Sequence, residues 1–293
     1  MTDKMTILTI DLEDWFHILD FHQTQSENTW ISYESRLEKL TTKLLKFLEQ
    51  KQVKATFFIL GWVAKNFPHV VKEIHAAGHE IACHSNLHQL VYKMTQASFK
   101  RDTMEALDNI EASCGVRPIA YRAPGFSITA QTPWAFDTLA DVGIKYDCSV
   151  FPAPRSHGGL IGYGAGIPAI IRTINDKEVR EFPINYVNLM GLKIVYSGGG
   201  YFRLMPGCLG RAMFHANEYN MTYFHLRDFD YGQPVLSGLS PIRKFKSYVG
   251  IKGALMKLES LLNQEETIPL LEAASMIDWG NRKKIHIKEI FHD

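Results

Sequence analysis

The 293-residue sequence predicts an α/β fold built on a parallel sheet, and two observations carry that expectation. Through about residue 150, short apolar runs alternate with segments of helical periodicity, the pattern of strands joined by helical crossovers. Ionisable residues then stand where those apolar runs end, which is where a parallel α/β sheet carries its chemistry. A hydrophobic content of 46% supplies the core such a fold needs.

Residues 5–11, MTILTID, predict a buried strand. Over 34–49, leucines at 37, 40, 44 and 48 recur at helical spacing. VKATFFIL, 53–60, predicts a second buried strand. NFPHVVKEIHAAGHE, 66–80, predicts a helix with Pro68 in its first turn and Gly78 past its end. Residues 80–83 form a third strand, 95–114 a helix stopped by Gly115, 119–124 a strand, 133–143 a helix and 144–150 another strand. After Val150 the pattern loosens. PRSHGGLIGYGAGIP, 154–168, is glycine-rich and loop-like, while 179–187 and 221–229 have strand character. SGGGYFRLMP, 197–206, reads either as an ordinary turn followed by a strand or as a wall of a pocket, and 243–263 predicts one long helix. No repeat, low-complexity tract or linker interrupts the chain, so a single domain over 1–293 is expected.

Composition excludes several classes of function. A net charge of +1 offers no basic excess for nucleic acid or an anionic membrane. No apolar stretch approaches the ~20 residues of a membrane span. The apolar run near the N-terminus meets an acid at Asp11, which is not the pattern of a secretory signal, so a cytoplasmic location is expected. The four cysteines are scattered singly, against a zinc–cysteine cluster or a disulfide framework and consistent with a reducing compartment.

The predicted strand ends collect Asp11, Glu13 and Asp14, then His84 and His88, then Arg122 and Pro124, then Asp147, and finally His225. Each has an ordinary explanation when taken alone: a helix cap, a surface salt bridge, a packed core histidine. Together they supply complementary parts of one chemistry. In HEIACHSNLH, 79–88, two imidazoles four residues apart can point at one metal from a single helical turn. A carboxylate from another strand makes a third ligand and leaves positions open for water and substrate. A further carboxylate can serve as general base and a distant histidine as general acid. Ser85 stands where the His-Glu-x-x-His protease pattern needs a glutamate, so the base must come from elsewhere, and Asp11 is available.

These residues lie in motifs that resemble, in order, those of the polysaccharide deacetylases of the NodB-homology type, carbohydrate esterase family four. The likeness is to the branch with an Asp-x-Glu-Asp-Trp opening and runs from about Thr9 to Asp230. TIDLEDW resembles the motif that provides the base and a metal-binding acid, and HSNLH the His-[Ser/Thr]-x-x-His metal motif. YRAPGFS resembles the motif whose arginine orients the base, YDCSVFP the one whose aspartate supports the catalytic histidine, and YFHLRDFD the one that contains that histidine. The first motif departs from the usual pair of adjacent aspartates. Branches with an Asp-x-Asp arrangement favour Glu13 as the metal carboxylate, since residues i and i+2 of a strand share a face, with Asp14 the alternative if the strand has already turned. The final motif reads His-Leu-Arg-Asp, which brings Arg227 and Asp228 within possible reach of the site.

The resemblance implies a distorted (β/α) barrel of seven or eight strands, NodB-like, that hydrolyses an N-acetyl group on an amino sugar in surface-polysaccharide biosynthesis (O-antigen, capsule or exopolysaccharide). It implies one divalent metal ion, zinc by expectation, held by His84, His88 and Glu13 or Asp14. It implies Asp11 as base, oriented by Arg122, and His225 as acid, supported by Asp147. Trp15 and Pro124, inside the first and third motifs, are expected at the substrate, as are Gly199, Gly200 and Tyr201, which could wall the sugar pocket. The partner would be an N-acetylated sugar, nucleotide-linked, lipid-linked or oligomeric. The alternatives are a metal-independent cyclic-amide or amide hydrolase on the same fold and an inactive sugar-binding relative. Oligomeric state, the sugar and the native metal are not encoded in these motifs.

Overall fold

The computed structural model describes residues 4–19, 21, 24 and 26–290. The ends of the expected 1–293 domain therefore lie outside the described residues. The first predicted strand is two, β1 (Met5–Ile7) and β2 (Thr9–Leu12), joined at Leu8. A short helix α1 (Glu27–Trp30) precedes α2 (Leu37–Gln50), which buries Leu37, Thr41, Leu44, Leu45 and Leu48 along one stripe. After β3 (Thr56–Ile59) comes α3 (Gly61–Asn66), then α4 (Pro68–Ala76), where Pro68 needs no amide hydrogen because it opens the helix.

β4 (Glu80–Cys83) leads to α5 (Gln96–Cys114), whose Thr95 cap accepts the Ser98 amide at 3.2 Å and whose end is turned by Gly115 at φ 78°. β5 (Ala120–Tyr121), α6 (Trp134–Asp141) and β6 (Tyr146–Asp147) complete the regular alternation.

Beyond this point local pattern and structure diverge. Residues 154–168 hold an isolated Arg155–Gly158 bridge and a single turn of 3-10 helix, and β7 (Ala169–Arg172) and β8 (Glu178–Glu181) form an antiparallel hairpin. β9 (Val187–Leu189) and β10 (Leu192–Ile194) form another. The expected strand after the glycine run is instead a helix, α7 (Gly199–Leu204), whose Phe202 packs edge-on against Phe224 at 4.8 Å. α8 (Gly207–Ala216), β11 (Tyr219–Met221) and β12 (Phe224–His225) follow.

The single helix expected over 243–263 is two, α9 (Pro241–Tyr248) and α10 (Ile251–Leu262). The break is at Gly250, which adopts φ 70° with a carbonyl of α7 so close that a Cβ would stand 2.5 Å from the Arg203 oxygen. β13 (Thr267–Ile268), α11 (Leu270–Met276), β14 (Lys284–His286) and α12 (Ile287–Ile290) end the described chain.

Nine strands make the main sheet, in the order β12-β2-β3-β4-β5-β6-β8-β7-β14, parallel throughout except for the β7–β8 hairpin. The sequence expectation is a distorted (β/α) barrel of seven or eight strands; the sheet has nine, and no pairing among the described residues joins β14 to β12. A second sheet, β11-β1-β13, continues the same strand pair as β2 and β12. At the joint the Thr9 amide donates to Thr222 Oγ1 at 2.8 Å and the Thr9 hydroxyl donates to the Thr222 carbonyl.

Alternating residues serve two separate apolar clusters. Ile10, Leu12, Phe57, Ile59 and Ile81 pack with the helices α2 to α5. Ile7, Phe58, Ala82, Ala120 and Phe182 face the other way, with Leu270 and Ala273 of α11. Asp11 pairs in register with Phe58 on one side and His225 on the other, so it lies on the second face.

Candidate active site

The carboxyl ends of β2, β4, β5 and β12 bring the first set of side chains together. Asp11 and Glu13, two residues apart, reach into the same cavity, and Glu13 Oε1 lies 3.0 Å from His84 Nε2 and 2.9 Å from His88 Nε2. The two histidines do not share a helical turn, as their spacing had suggested. They sit on a loop in which Ser85 and His88 take positive φ values of 70° and 52°. That strained loop is held from below by buried Asp102 of α5, whose carboxylate accepts the Asn86 and Leu87 amides at 2.9 and 3.1 Å. Burial pushes the Asp102 carboxyl up to about 6 in spite of these bonds. The His84 ring donates Nδ1–H to the Arg122 carbonyl at 2.7 Å, which turns Nε2 toward Glu13 at 3.0 Å, where in the neutral ring its lone pair is free for an ion.

Glu13, His84 and His88 are all buried, and their ligand atoms lie within 4.8 Å of one another. His88 Nε2 is buried and meets the Glu13 carboxylate at 2.9 Å without regular hydrogen-bond geometry, an arrangement in which both atoms can turn to one ion. Two imidazoles and one carboxylate are a donor set suited to zinc or a similar divalent ion. Burial would raise Glu13, but His88, His225 and His84 outweigh it and hold its carboxyl well below the usual range.

Asp14, the alternative ligand, is turned away. It caps the 3-10 turn Trp15–His17, and its carboxylate accepts from the Trp15 amide at 2.8 Å, the Ser35 hydroxyl at 2.6 Å and the Arg36 amide at 2.9 Å. Burial raises its pKa, with these bonds acting against the shift.

Beside the donor set lies a base–acid pair. Arg122, fully buried and 4.0 Å over the Phe58 ring, donates from Nη1 to Asp11 Oδ1 at 2.6 Å and to Thr9 Oγ1 at 2.9 Å. Asp11 Oδ2 is left facing His225 Nε2 at 3.7 Å. The His225 ring is oriented by Asp228, Nδ1 to Oδ2 at 3.2 Å, and the other Asp228 oxygen meets Arg203 Nε at 3.0 Å. Burial would lower His225, but Glu13, Asp228 and Asp11 raise it to about 9. Asp228 itself falls to about 2, since Arg203 and His225 overcome the effect of its burial.

Asp147, expected behind His225, is elsewhere. It lies on β6, with β2, β3, β4 and β5 between it and β12, and its carboxylate accepts from the Ser149 amide at 3.0 Å and the Ser149 hydroxyl at 2.7 Å. Burial raises its pKa, and the neighbouring Glu181 is raised well above the usual range by burial and by Asp147.

A cavity of about 260 Å³ opens over Asp11, Glu13, His84, His88 and His225, with Gly199, Gly200 and Tyr201 in its wall. Trp15 and Pro124, expected at the substrate, do not line it. The Trp15 indole donates to the Glu34 carbonyl at 3.0 Å and packs edge-on against Phe16 and Tyr33, while Pro124 is buried at the head of a 3-10 turn.

Among the lining residues that escaped the sequence reading are His17, Arg155 and Arg203. His17 follows the first motif by two residues. It accepts the Asp14 amide on Nδ1 at 3.0 Å, leaving Nε2 buried and unpartnered, and burial and His88 pull it down to about 3. Arg155 comes from the glycine-rich loop and Arg203 from α7, where no periodicity marks them.

Residues 22–146 match the family model for polysaccharide deacetylase. That segment, under half of the chain, is similar to the polysaccharide deacetylases. Residues 148–273 match a domain of unknown function (DUF3473). The site draws on both segments: His84, His88 and Arg122 come from the deacetylase match, Arg203, His225 and Asp228 from the second, and Asp11 and Glu13 precede both.

The chain is similar to a peptidoglycan-N-acetylglucosamine deacetylase of Bacillus cereus, 34% identical over 33% of this chain and 36% of that one. It is also similar to a chitooligosaccharide deacetylase of Sinorhizobium fredii, 32% identical over 45% of this chain and 61% of the relative. The chain thus spans less than two thirds of these curated relatives.

Among solved structures, a Mycobacterium smegmatis protein assigned to the polysaccharide deacetylases superposes with TM-score 0.65 at 18% identity, over 97% of this chain and 93% of that one. A family 4 carbohydrate esterase from Streptomyces lividans, solved with acetate, gives TM-score 0.50 at 13% identity over 92% and 93%. The fold is therefore the NodB-like fold of these deacetylases. No helix among the described residues is long and apolar enough to cross a membrane.

Proposed function

We propose that the chain hydrolyses the N-acetyl group of an amino sugar in surface-polysaccharide biosynthesis, releasing acetate and a free amine, with the two matched segments acting as one catalytic unit. The observation that supports this most directly is the juxtaposition, in one cavity, of the Glu13–His84–His88 donor set with Asp11 and His225. A divalent ion, zinc by the chemistry of its donors, supplies a lowered pKa for water and a polarised acetyl carbonyl when bound.

The side chains then divide the proton transfers. Asp11, held through Oδ1 by Arg122, takes a proton from water on its free Oδ2 as the water oxygen bonds to the acetyl carbon. The carbon–nitrogen bond breaks as His225 Nε2 gives its proton to the departing nitrogen. Asp228 keeps that ring in position through Nδ1 and stabilises its charged form. Acetate and the amine leave, and the proton on Asp11 returns to His225 through solvent.

The test is acetate release from a panel of N-acetyl sugars, with and without a chelator, alongside elemental analysis. Release that stops on chelation and returns with added metal supports the reading. Release that survives complete metal removal points to the metal-independent hydrolase. Sugar binding with no release from any panel member points to the inactive binding protein.

A further inference from the structure

We infer that the cavity takes a phosphorylated substrate: resting on the deacetylase reading, the proposal is that Arg155 and Arg227 seat a phosphate or diphosphate group attached to the N-acetyl sugar. The charge of the cavity is the first observation. Three carboxylates line it, and each is already engaged: Asp11 by Arg122, Glu13 by the two loop histidines, Asp228 by Arg203 and His225. Five arginine and lysine side chains line the same space, although the whole chain carries a net charge of only +1. A bound divalent ion would add to this local excess.

The second observation is the state of two of these cations. Arg155 has its guanidinium over the rings of Phe126 at 4.7 Å, Phe151 at 4.9 Å and Tyr223 at 5.6 Å. Its Nη1 is buried with no hydrogen-bond partner. Stacking fixes the plane of the fork and leaves its edge available for an oxyanion. Arg227 is half-buried one residue from Asp228, and no carboxylate among the described residues lies within salt-bridge distance of it. Burial lowers its pKa, with Asp228 acting against the shift. Lys246, exposed at the rim, adds a third positive charge.

A neutral oligosaccharide can accept hydrogen bonds from these donors but brings no counter-charge. A single carboxylate, as on a uronic acid, neutralises one guanidinium, whereas a phosphomonoester or diphosphate carries about two charges and several acceptor oxygens and matches both. Guanidiniums left desolvated without a counter-charge are costly, and the substrate's own anion removes that cost.

The experiment compares kcat/KM for acetate release by the metal-loaded protein from N-acetylglucosamine 1-phosphate, UDP-N-acetylglucosamine, methyl N-acetylglucosaminide, chitotetraose and N-acetylglucosaminuronic acid. The two phosphorylated sugars separate a bare sugar phosphate from a nucleotide-linked one. The expected result is a preference for phosphorylated over neutral sugars of about tenfold or more, expressed in KM, as for gaining a charge-assisted hydrogen bond. R227M and R155M should each reduce that preference ratio about tenfold, R227K and R155K should restore part of it, and added salt should narrow it.

Equal kcat/KM for phosphorylated and neutral sugars, or a ratio unmoved in both methionine variants, overturns the proposal. A preference for the uronate over both phosphates overturns it in favour of a carboxylate site. If no sugar releases acetate, the deacetylase reading falls instead. Titration calorimetry with N-acetylglucosamine 1-phosphate against methyl N-acetylglucosaminide then still decides the anion site, with equal or absent binding of both overturning it.

Discussion

His225 and Asp228 face each other across one turn of 3-10 helix, Nδ1 to Oδ2 at 3.2 Å, and Arg203 closes on the far oxygen of Asp228 at 3.0 Å. This three-residue chain ties the proposed acid to α7, a helix that also lines the cavity.

The pH dependence of the reaction should follow from it. His225 is raised to about 9 in part by Asp228. The acid works only when protonated, so kcat/KM should fall on the alkaline side as His225 loses its proton. D228N removes one of the groups that raise it, and the alkaline limb of the kcat/KM–pH profile should move to lower pH with the metal retained. An alkaline limb that stays in place in D228N would mean that His225 does not set it.

Glu13 and Asp14 should separate cleanly. E13Q and H84A should lose metal and activity together, read by elemental analysis and acetate release. D14N should keep its metal, because the Asp14 carboxylate is engaged by Trp15, Ser35 and Arg36, and should instead lose about 1–3 kcal/mol of stability in denaturant unfolding. Full metal occupancy in E13Q would remove Glu13 from the donor set.

Asp11 and His225 divide the proton transfers, so losing either should cost on the order of 10²–10⁴ in rate. D11N should keep its metal, since Arg122 rather than an ion holds Oδ1. H225A should slow an amide more than an activated O-acetyl ester, whose leaving group needs less protonation. Equal slowing of both substrates would show that His225 does not protonate the leaving amine.

Gly250 should resist substitution. At φ 70°, and with a Cβ that would meet the Arg203 carbonyl oxygen at 2.5 Å, G250A should destabilise the protein by about 1–3 kcal/mol, seen as a lower Tm. Because Arg203 holds Asp228, the surviving folded fraction should also show a weakened acid. An unchanged Tm would mean that the α9–α10 break absorbs the side chain.

What the sequence determined by itself was local. The alternation of strand and helix to residue 150, the Thr95 and Gly115 ends of α5, and Pro68 at the head of α4 all follow from periodicity and capping, which act within a few residues. The common facing of Asp11 and Glu13 followed from the two-residue period of a strand. The tertiary structure decided what depends on neighbours distant in the chain. Three glycines hide the helical character of α7, which forms because Phe202 finds Phe224 and Arg203 finds Asp228. Gly250 interrupts a run of good helix formers because α7 passes too close for a side chain. Asp147 and Asp228 are alike as letters beside a motif. Asp147 is engaged by Ser149 and does not line the cavity, whereas Asp228 lies three residues from His225 on the same turn and meets its ring. The positions of Arg155 and Arg227 over the cavity depend likewise on aromatic faces and carboxylates brought from other segments, and no local pattern in the chain encodes such meetings.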